Sequence, residues 1–423
     1  MDKQTIFVLA LTLLAACAPT PADPVSITVW YPLPIASPLK DAMDSLVGKF
    51  NAANKDVKVE LVLTGNYTQN FEKILAAATA GNLPDAAMVE LLQIPQLADS
   101  GQLLAFDDFS KETDFNFNDL APALMGNSYW KGKLYGIPWQ RSTTMMFYNR
   151  DAFRAASLDP DKPPATWDEV RTLAPKLLIK EGDQVKQWAV VGNLAGDWFF
   201  EGHLQSYGGA LLSKDGKTAT YNSDEAIAAV TVWRDLVQKD KTLSIRGFAD
   251  FGAIVGDFIA GKDAMLIHSI FSRAVIEKDA KFDWDVAPVP GGSAGPVLNA
   301  SGGNFVIFAK TAPEKHKAAW KFIKWMTAPE NTADYAIKSG YLPVRTSALK
   351  VTAMADYGKQ NPKALKAIEI AFKYGKGRAV SADFEKVINQ FLNPALQDIL
   401  LGAADPKTAL DAAVKKSNQA LAQ

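Results

Sequence analysis

Between residues 26 and 89 strand-like and helix-like periods alternate, and this alternation most limits the folds open to the chain. Residues 26–31 are β-branched and aromatic, 38–54 carry apolar side chains at helical spacing, and 57–63 alternate as a strand does. A helical stretch over 69–80 leads to the short strand Ala86-Ala87-Met88-Val89 and a further helix near Ile94. Such β-α-β units close by right-handed crossovers onto a parallel sheet, so the expected fold class is α/β. A turn-poor, extended segment over 134–148 follows, and Asp151-Ala152-Phe153 opens new α/β material with helices over 167–178 and 224–239. The chain reads as extended again over 282–290. Gly302-Gly303 then reads as a tight turn before a buried strand that ends at Phe308. Two extended crossings imply two lobes joined by more than one strand, with 25–141 and 286–328 in the first and 142–285 and 329–423 in the second.

The amino terminus has a different character. Lys3 precedes an apolar run that ends in Leu14-Ala15-Ala16-Cys17. The run is far shorter than the roughly 20 residues of a membrane-spanning helix, and it has the layout of a secretory signal peptide over 1–17. Leucine, two small residues and a cysteine also resemble the bacterial lipobox, which implies that Cys17, the sole cysteine, is acylated. Residues 18–24, rich in proline, read as an extended tether. No later run reaches 18 apolar residues, so membrane contact is expected only through the lipid, with the protein extracytoplasmic, periplasmic or at the cell surface. With 45 basic and 46 acidic residues the net charge is -1, which gives no long-range field for nucleic acid.

Motifs of catalysis fare poorly. Gly291-Gly292-Ser293-Ala294-Gly295 satisfies Gly-x-Ser-x-Gly, but it lies between Pro290 and Pro296, in a loop, and not between the strand and helix of a nucleophile elbow. Gly216-Lys217-Thr218 imitates the end of a phosphate-binding loop, yet Leu211 stands where its first glycine is required. The three histidines, His203, His268 and His316, form no metal-ligand pair. The reading is a binding protein without enzymatic activity, metal or cofactor.

Several segments carry a resemblance: Ile27-Thr28-Val29-Trp30, Phe50-Asn51-Ala52-Ala53-Asn54, Gly65-Asn66-Tyr67, and Tyr148-Asn149-Arg150-Asp151. To these are added Pro164-Ala165-Thr166-Trp167, Ala328-Pro329-Glu330-Asn331 and Gly340-Tyr341-Leu342-Pro343. Together they resemble the extracellular solute-binding proteins of ABC importers, over most of the mature chain. Gly65-Asn66-Tyr67, Gly340-Tyr341 and Lys376-Gly377-Arg378 in that order are similar to the sn-glycerol-3-phosphate-binding members. The resemblance implies a periplasmic-binding-protein-like two-lobe clamp (type II) whose hinge strands join the lobes. It also implies a monomer that captures sn-glycerol-3-phosphate or a glycerophosphodiester and delivers it to permease subunits.

Residue by residue, the resemblance implies that Tyr67, Ser142, Ser269, Tyr341 and Arg378 surround the phosphate, where hydroxyls and a guanidinium supply directed donors. Gly303 would add a backbone N–H, Glu90 would accept from the glycerol hydroxyls, and Trp198 would wall the carbon skeleton. Each has a competing role: interface tyrosine, solvated charge, helix-entry carboxylate, or core tryptophan. Phe271 stands at a family glycine, in Ser269-Ile270-Phe271-Ser272, and either narrows the cleft or moves the chain. Arg141, where the family has a small polar residue, could supply charge for a phosphate or reach solvent. A neutral sugar or oligosaccharide binder of the same fold is the alternative, and a secreted hydrolase a third reading.

Overall fold

The computed structural model describes residues 23–33, 39–109, 112, 114–247 and 250–422. The signal segment and Cys17 lie outside them. The chain opens with β1 (Val25–Tyr31), α1 (Leu39–Ala53), β2 (Val57–Leu63), α2 (Tyr67–Ala80) and β3 (Ala86–Glu90). Local chemistry sets these bounds. Asn66 caps α2 in a reciprocal capping box with Gln69, and Gly81 ends it in the left-handed conformation at φ 72°. β1 lies between β2 and β3, parallel to both, and α1 buries Met43, Leu46 and Phe50.

The 13-residue strand β4 (Ile137–Asn149) is buried along its whole length. Beyond it come α3 (Trp167–Leu177), β5 (Gln184–Gly192), α4 (Asp197–Ser206), α5 (Asp224–Gln238), β6 (Asp263–Ser269), β7 (Trp284–Ala287) and β8 (Leu298–Ile307). Thr166 caps α3 through a capping box with Glu169, so the threonine-tryptophan signature is a helix start that buries Trp167. Asn149 likewise accepts from the Ala152 amide and caps the turn after β4. Helices α6 (Pro313–Met326), α7 (Pro329–Ser339) and α8 (Pro362–Tyr374) follow.

The main sheet runs β2-β1-β3-β8-β4-β6-β5, with β7 also paired to β4. It is mixed and not wholly parallel: β8 is antiparallel to β3 and to β4, and β6 is antiparallel to β4. β4 joins the two halves, pairing with β8 over Ile137–Thr143 and with β6 and β7 over Thr144–Asn149. Gly302-Gly303 departs from the expected turn. The pair lies inside β8, at a register shift against β4, and Gly302 adopts φ 104°. A side chain at Gly302 would come within 2.0 Å of the Gln140 carbonyl oxygen, and one at Gly303 within 2.7 Å of Met88 Cγ. Close approach of three strands at a bulge therefore explains both glycines. Gly291–Gly295 is a turn, and the Gly292 N–H donates to Ser206 Oγ at 2.9 Å.

Candidate functional site

Where the two halves of the sheet join, β4 carries an unbroken polar run, Gln140, Arg141, Ser142, Thr143 and Thr144, each at most 4% exposed. Consecutive strand residues point to opposite faces, so the waist is polar on both. Asn299 and Asn304 on β8 and Ser269 on β6 extend this patch. Much of its hydrogen-bonding capacity is unused: Gln140 Oε1, Arg141 Nε and Nη1, Thr143 Oγ1, Ser269 Oγ and both amide atoms of Asn299 are buried without a partner. A buried polar atom left unpaired costs about 1–3 kcal/mol, and a row of them at the join of the two halves makes the waist the candidate ligand surface.

Tyr67 and Glu90 approach from the first half. Tyr67 opens α2, and its hydroxyl is buried without a partner. Burial raises its pKa well above the ordinary value, and the neighbouring Tyr341, Glu90 and Tyr335 add to this while Arg141 opposes. Glu90 ends β3 and caps the next turn, accepting from the Leu92 amide at 3.0 Å. Its carboxyl is pushed up to about 8, first by burial and then by Glu385, with Arg378 opposing. At neutral pH this acid holds its proton and both donates and accepts. Arg141 spends only Nη2, on the Leu124 carbonyl at 3.0 Å and Asn304 Oδ1 at 2.8 Å. Burial brings its pKa down to about 10, which leaves it cationic.

Arg378 is placed differently. Its Nε donates to Glu201 at 2.9 Å and its Nη2 to Asp197, while Asn127 clamps its backbone by accepting from the amide at 2.9 Å and donating to the carbonyl at 3.1 Å. Burial works against its charge, but Asp197, Glu201 and Glu90 outweigh it and hold the pKa above the ordinary arginine value. Glu201 also accepts from the Ala379 amide at 2.6 Å; burial raises its pKa above the ordinary carboxylate value, with Arg378 and this amide opposing. The guanidinium is thus fixed by two carboxylates, and Nη1 is the nitrogen that neither carboxylate binds.

Tyr67, Glu90, Tyr341 and Arg378 therefore share one electrostatic neighbourhood with Arg141. Tyr341 Oη accepts a long bond from Gln140 at 3.4 Å, and its ring stacks on Phe271 at 5.4 Å and 14°. Phe271 thus backs Tyr341, which accounts for an aromatic at that position. Ser142 pairs in register with Ser301, Ser269 with Thr144, and Gly303 with Glu90. Trp198 starts α4 beside Asp197 and donates to the Asn299 carbonyl at 3.0 Å. Asp197, Glu201, Glu385, Asn299 and Asn304 escaped the sequence reading. Arg141, which the sequence did single out, is a charge within an extended segment. The histidines are structural: His203 stacks on Trp233 at 4.0 Å, His268 bonds Ser272 at 2.6 Å, and His316 contacts the Phe308 carbonyl. Burial pushes both His203 and His268 down to about 3.

Residues 45–366 match the family model for bacterial extracellular solute-binding proteins. The chain belongs to this family. The sn-glycerol-3-phosphate-binding periplasmic protein UgpB of Salmonella paratyphi A is 28% identical over 404 residues, 90% of this chain and 89% of that protein. The structure of UgpB from Mycobacterium tuberculosis in complex with glycerophosphocholine superposes with a TM-score of 0.81 at 27% identity, covering 94% of this chain and 98% of that one. The cyclic alpha-maltosyl-1,6-maltose binding protein of Arthrobacter globiformis superposes at 0.79, also at 27% identity, covering 94% and 99%. The architecture is the two-lobe α/β clamp of periplasmic binding proteins. As a member of this family the protein is an extracytoplasmic solute-binding protein. Among the described residues no helix is long and apolar enough to cross a membrane.

Proposed function

We propose that this protein is the substrate-binding component of an ABC importer, capturing sn-glycerol-3-phosphate or a glycerophosphodiester between its lobes and passing it to the permease without chemical change. The observation that carries this reading is the buried donor set of the waist, in which Tyr67 Oη and Arg141 Nε and Nη1 have no partner beside a Glu90 carboxyl able to donate and accept. Phosphate oxygens take hydrogen bonds from hydroxyls and guanidinium groups, and glycerol hydroxyls suit a protonated acid. Arg378 Nη1, oriented by Asp197 and Glu201, supplies a further donor. Ser142, Ser269, Tyr341 and the Gly303 backbone complete the phosphate side, and Trp198 walls the carbon chain. The M. tuberculosis relative solved with glycerophosphocholine supports this choice.

The lobes divide at 141/142 on β4, with 25–141 and 286–328 on one side and 142–285 and 329–423 on the other. α7 lies along the seam, where Asp334 pairs with Lys49 of α1 at 3.1 Å. Cleavage before Cys17 and its acylation tether a monomer to the membrane. A second reading, a neutral sugar or oligosaccharide ligand, is favoured by the acidity of the cleft, where Glu90, Asp197, Glu201 and Glu385 surround one arginine. Calorimetric titration with sn-glycerol-3-phosphate, glycerophosphocholine and maltotriose separates the two. Binding of maltotriose alone overturns the glycerophosphate reading.

A further inference from the structure

Four carboxyl groups, Glu90, Asp197, Glu201 and Glu385, gather around two guanidiniums, Arg378 and Arg141. Arg378 is held by Asp197 and Glu201, while Arg141 interacts with Glu90 and Tyr67. Glu90 and Glu385 reach this cluster from distant parts of the chain. Glu90 ends β3 and Glu385 sits in the helical turn Phe384–Val387, so the lobe division proposed above puts them on opposite sides of the cleft. Gln93 spans the gap between them. Its side-chain oxygen accepts from the Glu90 amide at 3.1 Å, and its side-chain nitrogen donates to Glu385 Oε1 at 3.2 Å. Gln93 is 2% exposed, so this contact between the lobes is shut away from solvent.

We propose that closing over the ligand takes up a proton from solvent, held on Glu90 where it faces Glu385 across the cleft, so that affinity falls as the medium turns alkaline. The inference rests on the glycerophosphate reading and adds a regulation to that site. Charge balance is its basis. With every carboxyl ionised, the four acids outnumber the two guanidiniums, and a phosphodiester adds a further negative charge. Like charges crowded into a closed cleft are not all kept, and one carboxyl is neutralised instead, which reconciles an anionic ligand with an acidic site. Burial is the main cause that raises Glu90 to about 8, with Glu385 and Asp197 adding and Arg378 and the Leu92 amide opposing. Glu385 is raised as well, by burial with Asp197 adding and Gln93 and Arg378 opposing. When the lobes part, water reaches both groups and Glu90 returns towards its ordinary value of 4.5. Between that value and about 8, closing therefore binds a proton, and affinity falls as pH rises through the window. No other titratable group of the cluster takes this part: burial lifts the Tyr67, Tyr335 and Tyr341 hydroxyls further from neutrality, and it pushes His203 of α4 down to about 3.

The test is calorimetric titration of the purified protein with glycerophosphocholine, a diester with no proton to exchange near neutrality, in buffers of different ionisation enthalpy. The dependence of the heat on the buffer counts the protons taken up. At pH 7.5 wild type should take up about half a proton or more, and its Kd should weaken about three- to tenfold for each pH unit around that point. Glu90→Gln should lose most of the uptake and most of the pH dependence. Glu385→Gln, which keeps an oxygen for Gln93 to donate to and should melt as wild type does, should give a reduced uptake and a Kd profile displaced to lower pH. If glycerophosphocholine binds wild type without proton uptake, or if the uptake survives undiminished in either variant, the proton coupling is refuted and the glycerophosphate reading stands. Should Glu90→Gln bind too weakly to titrate, wild type and Glu385→Gln decide alone. If no glycerophosphate compound binds wild type at pH 5 to 8, the underlying reading falls and the coupling with it.

Discussion

Arg378 is the residue whose removal separates architecture from ligand contact. Its side chain is 3% exposed and that of Glu201 is 0% exposed, so Arg378→Ala strands a buried carboxylate with only the Ala379 amide and a 3.4 Å contact from Gln205. Breaking one side of a buried ion pair costs about 3–5 kcal/mol, chiefly through the charge left behind. In Arg378→Met/Glu201→Gln the guanidinium and the fully buried carboxylate are removed together and only the partly accessible Asp197 keeps its charge, so part of that loss should return as a coupling energy. Urea unfolding followed by tryptophan fluorescence at pH 7 reads all four corners of the cycle. Lowering the pH should narrow the deficit of Arg378→Ala, because the stranded Glu201 can then take a proton. An Arg378→Ala variant within about 0.5 kcal/mol of wild type, or purely additive losses, would refute the structural role of the pair. The consequence for ligand work is direct. Weakened binding by Arg378→Ala alone is therefore no proof of a phosphate contact.

Four other outcomes are expected. Glu90 has a folded pKa raised from 4.5 to about 8, so the folded state holds its proton more tightly and its contribution is lost as pH rises between those values; melting temperatures at pH 5 and pH 8 should converge in Glu90→Gln, and an unchanged pH slope would count against the assignment. Gly302→Ala places a carbon 2.0 Å from the Gln140 carbonyl at φ 104°, and should cost at least about 3 kcal/mol or prevent folding. Mass spectrometry of the native protein should find the mature chain beginning at an acylated Cys17, and Cys17→Ala should remain soluble and bind ligand. Small-angle scattering should give a smaller radius of gyration with saturating ligand; an unchanged curve contradicts closure.

What could be read from the sequence was what local chemistry decides. Asn66 with Gln69 and Thr166 with Glu169 sit three residues apart, so both capping boxes are visible in a short window; α3 begins where the periodicity places it, and α2 begins at Tyr67, two residues before the expected start. The Tyr148-Asn149 and Thr166-Trp167 signatures are of this kind, caps and buried aromatics that mark the fold without touching the cleft. The Gly302-Gly303 bulge was read as a turn because its cause is the approach of Gln140 and Met88 on two other strands. Arg378 meets its carboxylates across 177 and 181 residues, and nothing near it in sequence foretells that pairing. Asn299 and Asn304 lie in a strand that reads as ordinary β-structure, and only the sheet order shows that they face the waist.

In the proposed clamp, the waist joins the hinge to the site in a single stretch of backbone. Gln140 has φ 51°, a left-handed conformation that costs a non-glycine residue roughly 1–2 kcal/mol, and it lies against Gly302 at the point where the β4–β8 register shifts. The ladder is therefore least regular where its side chains are most polar. A rotation of one lobe against the other is absorbed most cheaply at such a point, since fewer regular hydrogen bonds are disturbed there. Arg141, next in the chain, holds Leu124 and Asn304 of the first lobe with Nη2 and leaves Nε and Nη1 unpaired. A ligand taking those donors together with Arg378 from the other side contacts both lobes at once, and its preference for the closed state is the difference between those contacts in the two states. Under the proposed function, ligand capture and closure would act on the same few residues of β4, and no longer path through either lobe would be required to couple them.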